Sequence, residues 1–184
     1  MNVDSYSDCI DDFLHRLPSG SKILDIACGP GNIANYILGK RPDLNWTGVD
    51  GAESMVKLAR QLNPQATFQV IDCRDMKIKS NAFQAIICSF ILPYLNKQEA
   101  KKLIIKIVDG LVTDGLLYIS TTLSPGRKAH SSNTARIQPE YHSEQDILTW
   151  FSNTSFKVIK KVYYKNEITA DKELVIIAIK KSRM

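Results

Sequence analysis

Apolar runs of strand length, the first three with an aspartate where the strand runs out, alternate along this chain with segments of helical periodicity, and that alternation restricts the fold more than any other feature. The first run, Ile23-Leu24-Asp25-Ile26-Ala27, breaks into Cys28-Gly29-Pro30-Gly31 and then a helix. The second ends Trp46-Thr47-Gly48-Val49-Asp50, and Asp72 and Asp75 follow Phe68-Gln69-Val70-Ile71. Strands alternating with helices specify an α/β sandwich built on a parallel sheet. Ligands of such sheets sit beyond the carboxyl ends of the strands. Carboxylates gathered there, in a chain of formal net charge +5, imply a ligand that is cationic and rich in hydroxyl and amino donors.

The periodicity can be followed to the end of the chain. Residues 4–17 carry Tyr6, Ile10, Phe13, Leu14 and Leu17 at helical spacing, and Pro18-Ser19-Gly20 stops that helix. A helix after Gly31 uses Ile33, Tyr36, Ile37 and Leu38, and another carries Met55, Leu58, Ala59 and Leu62 up to Pro64. Strands are expected at 67–71 and at 85–90, the latter apolar without alternation, as in a strand buried on both faces. Asn96-Lys97-Gln98-Glu99 reads as a capping box opening a helix with a Leu103, Ile104, Ile107, Val108 and Leu111 stripe. A fifth strand at 115–122, a helix from Ser143 and a closing pair at 156–164 and 174–180 complete one doubly wound domain over residues 1–184, its core at about 20–181. The stretch 123–142 is long enough for a lid.

The glycine turn alone fits two cofactors. Gly29-Pro30-Gly31-Asn32-Ile33-Ala34 satisfies the loose dinucleotide pattern, and an acid about 20 residues on suits a ribose in either case. Asp25 discriminates. A pyrophosphate belongs where helix-terminal amides receive it, and a carboxylate four residues before Gly29 repels it. An ammonium and a sulfonium are attracted instead, which points to S-adenosylmethionine and leaves a dinucleotide oxidoreductase as the weaker alternative.

With these residues the chain resembles the class I S-adenosylmethionine-dependent methyltransferases. The similar segments are 23–34, Gly48-Val49-Asp50-Gly51-Ala52-Glu53-Ser54-Met55 with Ala59-Arg60, Asp72-Cys73-Arg74-Asp75-Met76, and Phe83-Gln84-Ala85-Ile86-Ile87-Cys88-Ser89-Phe90. Two departures stand out: Ala27 replaces a common glycine, and Gln84 a common aspartate. The resemblance implies a seven-stranded Rossmann-like sheet of order 3-2-1-4-5-7-6 with the last strand antiparallel. It also implies roles. Asp25, Cys28, Gly29 and Gly31 would hold the methionine part, and Asp50 with Gly51 the ribose. Ala52 and Met55 would wall the adenine, Asp72 and Cys73 would read its edge, and Ser89 and Phe90 would line the sulfonium end. Asp75 reads as a cap or surface pair.

Methyl transfer is a direct displacement, so alignment matters most and no covalent triad is needed. Ser89-Phe90-Ile91-Leu92-Pro93-Tyr94 replaces the Asn/Asp-Pro-Pro-Tyr signature of enzymes that methylate amino groups of nucleobases or glutamine. Candidates for acceptor contact or general base are His142, Tyr141 and Tyr94, with His130, although a lone loop histidine is also commonly a solvated residue. The expected acceptor is a small molecule. An RNA or protein methyltransferase, and a silent cofactor-binding sensor or partner subunit, are the alternatives; the expected oligomeric state is monomer or homodimer.

Composition narrows the classes. An apolar fraction of 44% with 23% charged residues suits a globular protein. Neither a secretory signal nor a bilayer-length apolar run is legible, so the expected setting is the cytoplasm, away from membranes. Cys9, Cys28, Cys73 and Cys88 are dispersed and lack ligand spacing, which argues against a metal or a disulfide framework. Lysines cluster at 97–106, 157–165 and the C-terminus without interleaved aromatics, so nucleic-acid binding is possible but not favoured.

Overall fold

The computed structural model describes residues 3–124, 139–166 and 170–182. Seven strands form one sheet of order β3-β2-β1-β4-β5-β7-β6. They are β1 (Lys22–Ile26), β2 (Asn45–Asp50), β3 (Thr67–Val70), β4 (Phe83–Ser89), β5 (Leu111–Ser124), β6 (Phe156–Lys165) and β7 (Lys172–Lys180). Strands β1 to β5 pair in parallel, and β7 inserts antiparallel between β5 and β6. This is the order and direction that the family resemblance implied.

Helices cover both faces. A 3-10 turn (Val3–Tyr6) leads into α1 (Ser7–His15), which packs with α2 (Asn32–Lys40) and α3 (Glu53–Leu62) over Ile23, Ile87, Tyr118, Val175 and Ile177. On the other face α4 (Lys97–Gly110) and α5 (Glu144–Ser152) bury Leu103, Ile104, Ile107, Ile147 and Phe151 against Leu24, Ile86, Leu117 and Ile176. Strands buried on both faces need apolar residues at consecutive positions, which is why β4 and β7 do not alternate. The capping box of α4 forms as expected: Asn96 accepts from the amides of Gln98 and Glu99, and Glu99 returns to the Asn96 amide. Ser143 and Asp146 close a second box on α5.

Three local expectations change. Strand β5 starts at Leu111, not 115, because its pairing with β4 steps from Phe83↔Leu111 to Ala85↔Leu116 across a bulge that holds Asp114 at φ 59°. Helix α3 buries only Val56 and Ala59, while Leu58 and Leu62 stand exposed, so its expected apolar stripe is half the assumed width. Gln84, the departure in β4, accepts the Lys22 amide at 2.8 Å. That bond lies at the end of the sheet opposite the aspartates, and the change leaves them untouched.

Candidate functional site

Two strand ends and one glycine turn form the first half of the site. The Asp50 carboxylate accepts the Gly29 amide at 2.9 Å through one oxygen and the Ala52 amide at 2.9 Å through the other. A carboxylate has about four lone-pair sites, so two remain for ligand hydroxyls in the cavity that Asp50 lines. The turn itself is left-handed at three points: Ala27 (φ 59°), Gly29 (φ 54°) and Gly31 (φ 82°). A Cβ on Gly29 would meet nothing, leaving its outer side open to a ligand. Gly31 behaves differently. A Cβ there would lie 2.6 Å from Asn63 Nδ2 and 3.1 Å from the Ala59 methyl, so this position needs glycine for the close approach of α3. Ala27 takes a conformation that costs a non-glycine residue about 1–2 kcal/mol, so the alanine preserves the turn under strain. At Cys28 the amide donates to Val49 O and the thiol sits against Gly48, within the core.

Asp25 is the most unusual group in the protein. It is 1% exposed, and neither carboxylate oxygen has a hydrogen-bond partner. Burial, with the Asp50 charge adding to it, pushes its carboxyl up to about 8. An orphaned buried acid is expensive unless a cationic or donating group meets it. The ammonium of S-adenosylmethionine fits that need, whereas a pyrophosphate would add repulsion and would find the Gly29 amide already taken by Asp50.

Because Asp25 ionises more readily in the unfolded chain, its contribution to stability is fully present below about pH 4 and is lost as pH rises through about 8. Between pH 5 and 8 the cofactor-free protein should therefore lose urea resistance relative to Asp25→Asn. Parallel curves for the two proteins would contradict that.

The second half lies at the end of β3. A cavity of about 510 Å³ is lined by Ala27, Asp50, Gly51, Ala52, Met55, Ile71, Asp72, Cys73, Arg74, Ile91, Tyr94 and Leu95, within the size range of small-molecule sites. Six of the residues assigned to ribose and adenine thus share one wall system. Met55 is 37% exposed and faces this space, so it is not helix core. Asp72 is engaged by Arg74, whose Nε and Nη2 reach its carboxylate at 2.9 and 2.5 Å and hold its carboxyl below the usual range. Arg74 escaped the sequence reading although the Asp-x-Arg spacing was visible. It now competes with any amino group for Asp72. The Cys73 thiol is buried and pushed up to about 11, which keeps it protonated.

The end of β4 is constructed differently from expectation. Ser89 Oγ is buried without a partner, and Phe90 sits at φ 55° with its ring edge-on to Tyr6 at 5.7 Å. Neither lines the 510 Å³ cavity. Tyr94, 55% exposed, stands on its rim, on the 3-10 turn Leu92–Tyr94. Tyr141 lies near Tyr94 and Asp171; burial and those charges raise its phenol.

His142 does not meet the acceptor side at all. It is fully buried, its Nε2 lies 3.0 and 2.9 Å from the carbonyls of Leu92 and Leu95, and its ring is edge-on to Trp150 at 5.1 Å. Two carbonyl partners require Nε2 to carry the proton, and Nδ1 is enclosed. The histidine read as a candidate base is a peg that fixes the Tyr94 turn. His130 and most of the stretch 123–142 expected as a lid fall outside the described residues.

Comparison with known proteins agrees with this geometry. Residues 23–115, half of the chain, match the family model described as "Methyltransferase domain". A putative methyltransferase, 235L of Invertebrate iridescent virus 6, is 35% identical over 107 residues, 53% of this chain and 40% of its own length. The trans-aconitate 2-methyltransferase of Variovorax paradoxus is 29% identical over 103 residues, 56% of this chain and 39% of its own. The chain thus spans about two fifths of the length of these curated relatives. A solved S-adenosylmethionine-dependent methyltransferase from Methanosarcina mazei shares the fold at TM-score 0.79 and 16% identity, covering 94% of this chain and 98% of that one. With half its length matching the family model on a sheet of order 3-2-1-4-5-7-6, the chain belongs to the class I S-adenosylmethionine-dependent methyltransferases.

Proposed function

We propose that the protein transfers a methyl group from S-adenosylmethionine to a small-molecule acceptor. When bound, the cofactor supplies a methyl group already activated on sulfur, and the protein's task is orientation. In this reading Asp50 holds the ribose hydroxyls, Asp25 meets the ammonium, and Ala52, Met55 and Ile71 enclose the base. Asp72, Cys73 and Gly51 contribute at its edge, and Ser89 and Phe90 border the reacting end.

The observation that carries the small-molecule assignment is the rim of the cavity. Ile91, Tyr94 and Leu95 are uncharged, and the neighbouring Arg74 is neutralised by Asp72. Some of the lysines lie away from the cavity in ion pairs: Lys97 to Asp146, Lys160 to Asp12, Lys161 to Glu144 and Lys181 to Asp114. A nucleic-acid interface needs unpaired cations facing phosphates. Burial and the neighbouring Asp171 raise the Tyr141 phenol, which disfavours it as a base. Such a site suits an acceptor that needs orientation more than deprotonation.

Transfer of radiolabelled methyl into a fractionated lysate tests this. Label in the small-molecule fraction is the expected result. Label in RNA or protein would replace the acceptor class, and cofactor binding without label in any fraction would favour a silent subunit.

A further inference from the structure

Strand β7 runs antiparallel to β5, so its first residues reach the same end of the sheet as the aspartates. There Glu173 sits opposite Thr122 on one side and Tyr164 on the other. It is 4% exposed. One carboxylate oxygen accepts the Tyr6 hydroxyl, and the other lies 3.4 Å from Asn166 Nδ2. Among the described residues no lysine or arginine forms an ion pair with it. Its surroundings are aromatic: the Tyr6 ring is edge-on to Tyr164 at 4.9 Å and to Phe90 at 5.7 Å.

A second observation points the same way. On the same face of the sheet, Ser89 and Ser120 are direct cross-strand neighbours, and Tyr118 follows one step inward. Their three hydroxyls are buried and have no hydrogen-bond partner. Ser120 and Tyr118 are each 1% exposed. Buried polar groups are ordinarily paired, so three orphans on the same face as a carboxylate without an ion-pair partner among the described residues are not what packing alone selects. None of them belongs to the cavity assigned to ribose and adenine.

We propose that Glu173 and Tyr6, with the hydroxyls of Ser120 and of Ser89 at the end of β4 on the same face of the sheet, anchor an ammonium group of the methyl acceptor. The proposal rests on the methyltransferase reading and narrows its substrate to organic amines. A carboxylate is an acceptor only, so it selects a donor or a cation. The faces of Tyr6, Tyr164 and Phe90 attract a cation further. Tyr6 ends the 3-10 turn that leads into α1, which holds its hydroxyl against Glu173. Glu173 is a specificity residue and not a base.

Calorimetry with 2-phenylethylammonium and its neutral isostere 2-phenylethanol tests the assignment, with and without S-adenosylhomocysteine. The wild type should bind the ammonium about tenfold tighter or more, the factor expected of a charge-assisted bond. Glu173→Gln should abolish that preference and leave S-adenosylhomocysteine affinity unchanged. Its melting temperature should hold or rise, because a buried charge is removed while the amide still accepts from Tyr6. Equal binding of the two probes by the wild type, or a Glu173→Gln protein that melts clearly lower or fails to fold, would overturn the proposal. Tyr6→Phe should weaken the ammonium probe while keeping part of the preference; a full preference would remove Tyr6 from the site. Failure of the wild type to bind S-adenosylhomocysteine would instead strike the methyltransferase reading, and the probe preference would still decide for or against Glu173.

Discussion

Asp50→Ala is expected to weaken cofactor binding about 10- to 100-fold, the equivalent of roughly 1.5–3 kcal/mol for hydrogen bonds to a charged group. The expectation has two physical sources. The carboxylate lines the 510 Å³ cavity with lone pairs to spare, so its removal costs the ribose its acceptor. It also bridges the Gly29 and Ala52 amides, holding the turn after β1 against the turn after β2. Asp50→Asn separates the two, since an amide oxygen still accepts one bond but carries no charge. The asparagine variant should lose affinity while keeping most of the stability that alanine forfeits. Removing the Asp50 charge also takes away one of the two causes that raise the Asp25 carboxyl, so Asp25 should titrate lower in both variants. Unchanged calorimetric affinity in Asp50→Ala would remove this residue from the ribose site.

His142→Ala should lower stability by about 2–4 kcal/mol, a melting-temperature fall of roughly 5–15 °C for a chain of this size. The imidazole donates to two carbonyls from a fully buried position, and alanine would leave both Leu92 O and Leu95 O without it. His142→Gln, whose Nε2 can reach the same carbonyls, should recover part of the loss. The turn so fixed carries Tyr94 to the cavity rim, so acceptor handling should suffer along with stability. A base would behave otherwise. Were His142 the proton acceptor, its loss would leave the melting temperature in place and alter the pH dependence of turnover.

The positions of the strands were legible because their signals are local, whereas their order in the sheet came from the family resemblance. Apolar runs such as Ala85-Ile86-Ile87-Cys88 are short enough to be strands, and the runs are punctuated by glycine, proline or an acid. Asp25 could also be placed at a strand end, and its charge weighed against a pyrophosphate, from spacing alone. What escaped depends on residues distant in sequence. The packing need for glycine at Gly31 was hidden because Ala59 and Asn63, which come within 3.1 Å of its would-be Cβ, belong to a different helix and its C-terminal cap. His142 looked like a loop histidine because nothing in its neighbours announces the two carbonyls it caps. Glu173 begins an apolar strand and reads as a polar strand end; only the register with Thr122 and Tyr164 turns it inward. One signal was available: an acid is out of place immediately before the run 174–178, which is buried on both faces.

In the proposed function a cofactor ammonium meets Asp25 beside the glycine turn. Calorimetric titration with S-adenosylhomocysteine below pH 8, repeated in buffers of different ionisation enthalpy and with NADH as the competing ligand, tests this most directly. The expected result is saturable binding of S-adenosylhomocysteine accompanied by proton release, absent in Asp25→Asn, with no binding of NADH. Binding of NADH with indifference to S-adenosylhomocysteine would contradict it.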